Sequence, residues 1–521
     1  MKALPFLVFT AALLGTAALL AAPPTRYVDA ANPSPSAPYT NWLTAATNIQ
    51  DAVDAADPGD LVLVANGVYQ FGGALAGKSL TSNRVAILKP ITVQSLNGPA
   101  VTTILGSQGN SRLGIPYARC AYLTNGASLV GFTLTNGAVP VSSSSQGGGA
   151  YADSSPLSPS TATLSNCVLT GNSAAHGGGA YGLTLNKCML VANSASVGGA
   201  AFACTLDSCT LSNNTAVGSV PGLPSSGGGG AYRSTLNNCH IVANTASAQG
   251  GGAYASKMTN CLVVANQASQ GGGVFGGQSI NCTIVSNTAS LSAGGLSTDG
   301  FATSVFNSIV YFNSAPTAPN WQSTTPLSHC CTTPLPVGPA NFTNNPALLD
   351  PAAADSRLAP NSPCINAGIN SAVNSSTDLD SNPRIAGGTV DIGAYEVQNP
   401  ASSISCAWLQ RYGMPTDGSA DALDPDRDRM TNWQEWRAGT NPTNAASFLS
   451  ISSITVTGLV ATLRWQSASD VTYTLERTTN LLGQTSFFPA QTNLPGKGAQ
   501  ITIAHTNPPA ASPAFYRLSV P

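Results

Sequence analysis

The residues best spaced for chemistry lie near the C-terminus, in the run Asp424-Pro-Asp426-Arg-Asp428-Arg-Met430-Thr-Asn432-Trp-Gln-Glu435. Carboxylates at the first, third and fifth positions, a main-chain carbonyl at the seventh, an amide at the ninth and a glutamate at the twelfth surround one hard cation in a calcium loop. The candidate ligands are therefore Asp424, Asp426, Asp428, the Met430 carbonyl, Asn432 and Glu435, with Ca2+ in a structural role. One position departs from the pattern: Arg429 stands where glycine makes the sharp turn. A left-handed arginine costs about 1–2 kcal/mol, and Arg427 and Arg429 offset part of the acidic charge. The alternative is a solvated acidic turn. A helix from Thr431 to Ala438, capped at Gly439, is expected to carry Glu435 into the site.

The remaining titratable groups are sparse. Glycoside hydrolysis needs two carboxylates facing one groove. Uronate elimination needs a base and a cation or arginine beside the substrate carboxylate. Between Gly131 and Asn313 the only charged residues are Asp153, Lys187, Asp207, Arg233, Lys257 and Asp299. They form no evident acid pair, and no catalytic residue is assigned. His176 and His240 stand alone and are expected to be surface or packed histidines rather than bases. The densest charged group is Asp378, Asp380, Arg384, Asp391 and Glu396, for which hydrogen bonds that close the fold are the expected role.

The elements that position these groups follow from a repeat. A cysteine, an apolar residue two positions on and Asn five positions after the cysteine recur at Cys167, Cys188, Cys209, Cys239, Cys261 and Cys282, with Asn before the cysteine except at Lys187 and Ser208. Degenerate copies are read at Gly131/Thr133/Asn136 and Ser308/Val310/Asn313. A glycine run ending in an aromatic keeps step at Tyr181, Phe202, Tyr232, Tyr254 and Phe275, always seven residues before the cysteine. The cysteine spacings are 21, 21, 30, 22 and 21, so an insertion at about 217–226 is tolerated without disturbing the rest, as in a coil with a free loop. This period, with β-branched positions and no helical periodicity, predicts an all-β, right-handed parallel β-helix solenoid. Cysteine and aliphatic side chains should point inward. The recurring asparagine is expected at a turn, because it tolerates left-handed backbone, with its amide bonded to the next coil.

Twelve cysteines raise the question of disulfides. Equivalent inward side chains on neighbouring coils point in parallel, so the six repeat cysteines are expected to stack as free thiols. Cys120, Cys204, Cys330, Cys331, Cys364 and Cys406 are left open to pairing.

Apolar residues on one helical face of 44–56, ended by Pro58 and Gly59, suit a helical cap on the N-terminal end, with strands at Leu61–Val64 and Ile91–Gln94 opening the coils. Tyr27-Val-Asp-Ala, Asn48-Ile-Gln-Asp-Ala-Val, Pro58-Gly-Asp-Leu-Val-Leu-Val and Gly67-Val-Tyr resemble the opening of bacterial pectin lyase-like β-helix proteins. Ser362-Pro-Cys-Ile-Asn-Ala-Gly, Asp378-Leu-Asp-Ser-Asn-Pro-Arg and Val390-Asp-Ile-Gly-Ala-Tyr-Glu396 resemble the choice-of-anchor Q ending of secreted β-helix proteins. The Asp424–Glu435 loop with its trailing Ala438-Gly-Thr-Asn-Pro resembles dockerin and thrombospondin type 3 calcium loops. These resemblances imply a large extracellular protein; relatives include polysaccharide lyases, hydrolases, adhesins and surface proteins.

Lys2, the apolar stretch Leu4–Leu20 and small residues to Ala22 read as a secretory signal peptide over 1–22, followed at once by Pro23 and Pro24. The β-helix is assigned to 25–397, a short helical calcium-loop linker to 400–447 and a small β-sandwich to 448–521. Strands are expected at Ile454–Val456, Val460–Trp465, Thr472–Arg477, Gln500–Ala504 and Phe515–Val520. Charged residues make up 8% of the chain, against about 25% in ordinary domains. The net charge of −2 supplies no drive toward nucleic acid or anionic lipid. The expectation is a secreted or cell-surface monomer without a transmembrane segment in the mature chain, a non-catalytic adhesive or glycan-binding scaffold whose partner is an extracellular polysaccharide or cell-surface glycan. The alternatives are a polysaccharide lyase or glycoside hydrolase, and a purely structural spacer.

Overall fold

The computed structural model describes residues 23–520 apart from 77–80, 111–112, 114, 141–144, 154–159, 219–226, 299–303, 323, 325, 351–354, 470, 482–486 and 507–512. The expected signal peptide, Asp299 and most of the expected insertion lie outside the described residues. Within them, the chain winds into stacked coils whose short strands form sheets of 21, 11 and 6 strands, paired in parallel apart from the antiparallel pairs Ala74–Ala76 with Thr81–Ile87 and Ser107–Asn110 with Ile115–Leu123 in the first. One coil shows the plan. Ala180–Tyr181 and Thr184–Asn186 join the first sheet, Met189–Val191 the second and Ser194–Val197 the third.

Two-residue alternation decides what each strand buries. In the first sheet Leu164, Leu185, Leu206, Leu236 and Met258 align rung by rung. In the second, Leu169, Leu190, Leu211, Ile241, Val263, Ile284 and Val310 do the same. All are buried, as is the whole cysteine column from Cys167 to Cys282. All twelve cysteines are free and buried. Burial pushes the Cys239, Cys261 and Cys282 thiols well up, so they sit in the core as small neutral hydrophobes.

The recurring asparagines form a buried ladder, but not in the backbone geometry expected. The left-handed residue is the one before each asparagine, as at Ala192, Asn213, Ala243, Ala265 and Ser286. The asparagine itself turns inward. Its Nδ2 donates to the next rung's Oδ1, for example Asn193 to Asn214 at 3.0 Å and Asn244 to Asn266 at 3.0 Å. The same Oδ1 accepts the asparagine's backbone N–H, as Asn266 Oδ1 does from Asn244 at 2.9 Å. The first degenerate copy is also displaced by one residue. Strand register sets Leu134 opposite Leu169, so Phe132, Leu134 and Gly137 take the repeat positions, and Gly137 N–H donates to Asn172 at 2.8 Å.

The glycine runs make the corner before the first sheet. At Gly250, φ is 63° and an added Cβ would sit 2.3 Å from the Ala253 carbonyl oxygen, so no larger residue fits. Beyond each corner the aromatic points outward and stacks on its neighbours. Tyr232 and Tyr254 ring centroids are 4.7 Å apart with planes 3° from parallel.

The N-terminal helix α1 is shorter than expected, spanning Ile49–Ala55. Asn48 caps it by accepting the Asp51 N–H, while Trp42–Thr44 form a separate 3-10 turn and Ala46 bridges to Val28. Asparagine's preference for the N-cap overrides the apolar pattern that continues through Ala45 and Ala46. α1 still covers the first coil, burying Ile49, Ala52 and Val53.

At the other end the described residues of 345–350 and 355–397 lie against the outer face of the last rungs of the second sheet. Leu262, Val264, Val285 and Ile309 face outward there and form one core with Leu348, Leu358, Ile365, Ile392 and Tyr395. Helix α2 (Cys406–Arg411) and helix α3 (Asn432–Ala438) follow. The chain ends in two three-stranded antiparallel sheets that pack through Leu463, Trp465, Tyr473 and Leu475. One strand, Phe488–Pro495, was not expected.

Candidate calcium centre and the acidic network beside it

Three of the six expected ligands are brought together. Asp424, Asp426 and Asp428 each bring a carboxylate oxygen within 4.8 Å of the others. α3 begins at the expected place because Thr431 caps it: its hydroxyl accepts the Gln434 N–H and the Gln434 side chain accepts the Thr431 N–H. It ends at Gly439, left-handed at φ 74°, where a Cβ would meet the Ala468 Cβ at 2.4 Å. Asn432 and Glu435 lie on the buried face of α3 and are both fully buried.

The loop's own hydrogen bonds shape it without satisfying it. Asp424 accepts the Arg427 N–H at 2.7 Å and the Arg429 N–H at 3.0 Å. Asp428 accepts the Met430 N–H at 2.7 Å. Arg429 takes the left-handed backbone expected of its position, φ 80°, and Arg427 does too, φ 63°. Four buried oxygens have no protein partner: Asp426 Oδ2, Asp428 Oδ2, Asn432 Oδ1 and Glu435 Oε2. A buried acceptor left alone costs about 1–3 kcal/mol. Burial and the neighbouring Asp426 and Asp428 push the Glu435 carboxyl up to about 7. An oxygen-only donor set with orphaned, mutually repelling oxygens fits a hard cation such as Ca2+.

Asp421, which lies outside every sequence pattern, fastens this loop to the chain before it. Its carboxylate accepts the Ser402 hydroxyl at 2.7 Å and the Ser403 N–H at 3.1 Å. On the other side Tyr473 of the C-terminal sheets donates to the Ala438 carbonyl at 3.3 Å, and Met430 Sδ accepts the Leu449 N–H at 3.3 Å.

In the second acidic group the carboxylates are satisfied, while Arg384 Nε and Nη1 are buried without a partner. Asp378, Asp391 and Glu396 are buried, and every carboxylate oxygen accepts a backbone N–H. Asp378 takes those of Asp380, Asn382 and Glu396. Asp391 takes those of Asn366 and Val397. Glu396 takes those of Ala386 and Asp391. Arg384, 1% exposed, supplies the countercharge and donates to the Asp391 and Gly393 carbonyls. Burial first, then the Asp391 charge, pushes Glu396 up to about 8. Asp380 stands apart, bidentate to the exposed Arg357. This network knots 378–396 together. The segment it belongs to is tied to the flank of the solenoid by Ala394 N–H to Thr283 and Asn260 to the Thr377 carbonyl.

On the coils themselves no catalytic constellation assembles among the described residues. Both oxygens of Asp153 are taken by the Tyr122 and Tyr151 hydroxyls, at 2.9 and 2.5 Å. Asp207 accepts from Ser208 and Asn238. Lys187 occupies a left-handed turn, and Arg233 lies 5.5 Å from the Tyr232 ring centre. Lys257 is exposed at the end of the threonine row Thr163, Thr184, Thr205 and Thr235. His176 is buried against the edge of Phe202, and burial lowers both its pKa and that of half-buried His240. The buried Arg119, which donates to Asn83 and lies 4.8 Å from the Tyr151 ring centre, precedes the repeats and carried no sequence signal.

No family model and no curated protein matches the sequence. Among solved structures the chain is similar to pectate lyase Pel9A, with 15% identity and a TM-score of 0.44 over 71% of this chain and 96% of that one. It is also similar to pectin methylesterase PemA from Erwinia chrysanthemi, with 11% identity and a TM-score of 0.28 over 49% of this chain and 80% of that one. A rhamnogalacturonan lyase matches with 11% identity and a TM-score of 0.27 over 56% of this chain and 77% of that one. The strand pairing of the chain itself, rung upon parallel rung, is what makes it a parallel β-helix.

Proposed function

We propose that this chain is a secreted or cell-surface scaffold of the pectin lyase-like kind, with a choice-of-anchor Q-like ending, that binds extracellular polysaccharide without cleaving it. The observation that carries this reading is the chemistry of the solenoid's outer faces. Hydroxyls and amides repeat there in register, as in Thr163–Thr184–Thr205–Thr235 and Asn186–Asp207–Asn237. The described carboxylates among them are bound to neutral donors. Such a surface offers a sugar many hydrogen bonds and no acid–base pair.

In this reading the dockerin-like loop holds one structural Ca2+ through Asp424, Asp426, Asp428, the Met430 carbonyl, Asn432 and Glu435. The ion supplies the charge that the orphaned oxygens lack and stiffens the joint between the solenoid and the terminal sheets. Screening the purified protein against acidic and neutral polysaccharides, scoring retention and product release together, tests the function. Retention without products is expected. Release of unsaturated or reducing ends would make the chain a lyase or hydrolase.

A further inference from the structure

The last coil, α2 and α3 enclose a cavity of about 610 Å3, within the roughly 300–1,000 Å3 typical of small-molecule sites. Its walls include Phe342 and Asn344 from the end of the solenoid, Ala367 from the segment on its flank, Trp408, Gln410 and Arg411 from α2, and Trp436 from α3. The two indoles are half-buried and rest on the same small core of Ile404, Leu409 and Ala420. That packing fixes them while part of each stays open to the cavity. Gln410 is held as well, its Nε2 donating to the Asn361 carbonyl at 2.9 Å. Arg411 and Asn344 are exposed, and Arg411 makes no ion pair among the described residues.

We propose that this cavity is a saccharide site and that it takes an acidic sugar residue. Fixed aromatic faces present apolar area and negative π-density to the C–H face of a pyranose ring. Amide groups at the rim suit its hydroxyls, and a guanidinium without a carboxylate partner suits a uronate. None of these residues belongs to the repeated coils, so this site is separate from the hydroxyl rows on the solenoid's sides. The proposal rests on the glycan-binding reading above and narrows it to one place and one ligand class.

The test is calorimetric titration of the full mature chain, with calcium present throughout. The probes are a matched pair, β-1,4-linked trimannuronate and β-1,4-linked mannotriose, which differ in the carboxylates. The parent protein should bind trimannuronate more tightly than mannotriose. Trp436→Ala should weaken both at least tenfold, and Arg411→Gln should remove the preference for the acid without changing mannotriose binding. Arg411 is exposed, so its variant stays informative even if Trp436→Ala fails to fold. Parent-like affinities in both variants would overturn the site and leave glycan binding elsewhere on the solenoid standing. An Arg411→Gln protein that keeps the preference would overturn the acidic class. No binding by the parent to either probe, or to the polysaccharide panel, would overturn the site and the glycan-binding reading together.

Discussion

Two acidic clusters follow one another along the chain, and they are complete to different degrees. In the 378–396 network each carboxylate oxygen has a backbone N–H and a buried arginine stands among the three acids. In the 424–435 loop four buried oxygens have nothing, and the nearest cations, Arg427 and Arg429, turn their backbone rather than their charge toward Asp424. The first arrangement leaves its acids satisfied, and its orphaned atoms are donors, Arg384 Nε and Nη1. The second is half of an interaction that, in the function proposed above, an ion completes. Buried carboxylates alone do not mark a functional site; buried carboxylates without donors do.

The largest effect should come from breaking the first cluster. Arg384→Met leaves Asp378, Asp391 and Glu396 buried without a countercharge. Removing one partner of a buried charge set costs about 3–5 kcal/mol, which chemical denaturation of the full chain would read. Calcium should not rescue the loss. The matching change in the loop should behave in the opposite way. Glu435→Gln removes a repelling charge, so metal-free stability should change by less than about 1 kcal/mol, while the stabilisation by calcium should disappear. Equal behaviour of the two variants in calcium and in chelator would erase the distinction between the clusters.

How much of this was legible in the sequence depended on the range of the forces involved. The solenoid was, because stacking makes each coil repeat its neighbour's needs, and cysteine, aliphatic and asparagine positions recur in step. α3 was, because Thr431, Gln434 and Gly439 are local signals that the fold obeys. The ladder asparagines were read one residue away from the left-handed turn, since asparagine suits both a turn and an inward amide and only the stacked rungs decide. The Phe488–Pro495 strand was hidden by Pro489 and Pro495, which an edge position tolerates. The placement of 355–397 on the solenoid's flank depends on contacts such as Ala394 with Thr283, more than a hundred residues apart, and no local pattern announces them.

Two smaller effects sharpen the comparison. Arg429→Gly relieves a left-handed side chain worth about 1–2 kcal/mol and removes a positive charge next to the site. Calcium affinity should rise several-fold, and an unchanged dissociation constant would mean that Arg429 costs the site nothing. In the first cluster, Glu396 carries a folded pKa of about 8 against an ordinary 4.5. A carboxyl raised on folding favours the protonated fold, so its contribution is present below the ordinary value and is lost as pH rises through the folded one. The parent should lose stability relative to Glu396→Gln between about pH 4.5 and 8, seen as a steeper fall of Tm with pH. Parallel pH profiles would show that the two N–H donors hold Glu396 ionised throughout.

The most direct test of the central claim is calorimetric titration of calcium into the full, chelator-treated chain. A single site is expected, with a dissociation constant of about 10⁻⁴–10⁻³ M as in extracellular modules. Binding should be lost in Asp428→Ala and should be accompanied by protection of the 400–447 stretch from protease. No heat at millimolar calcium, with protease sensitivity the same in calcium and in chelator, would leave the loop an acidic turn and contradict the account.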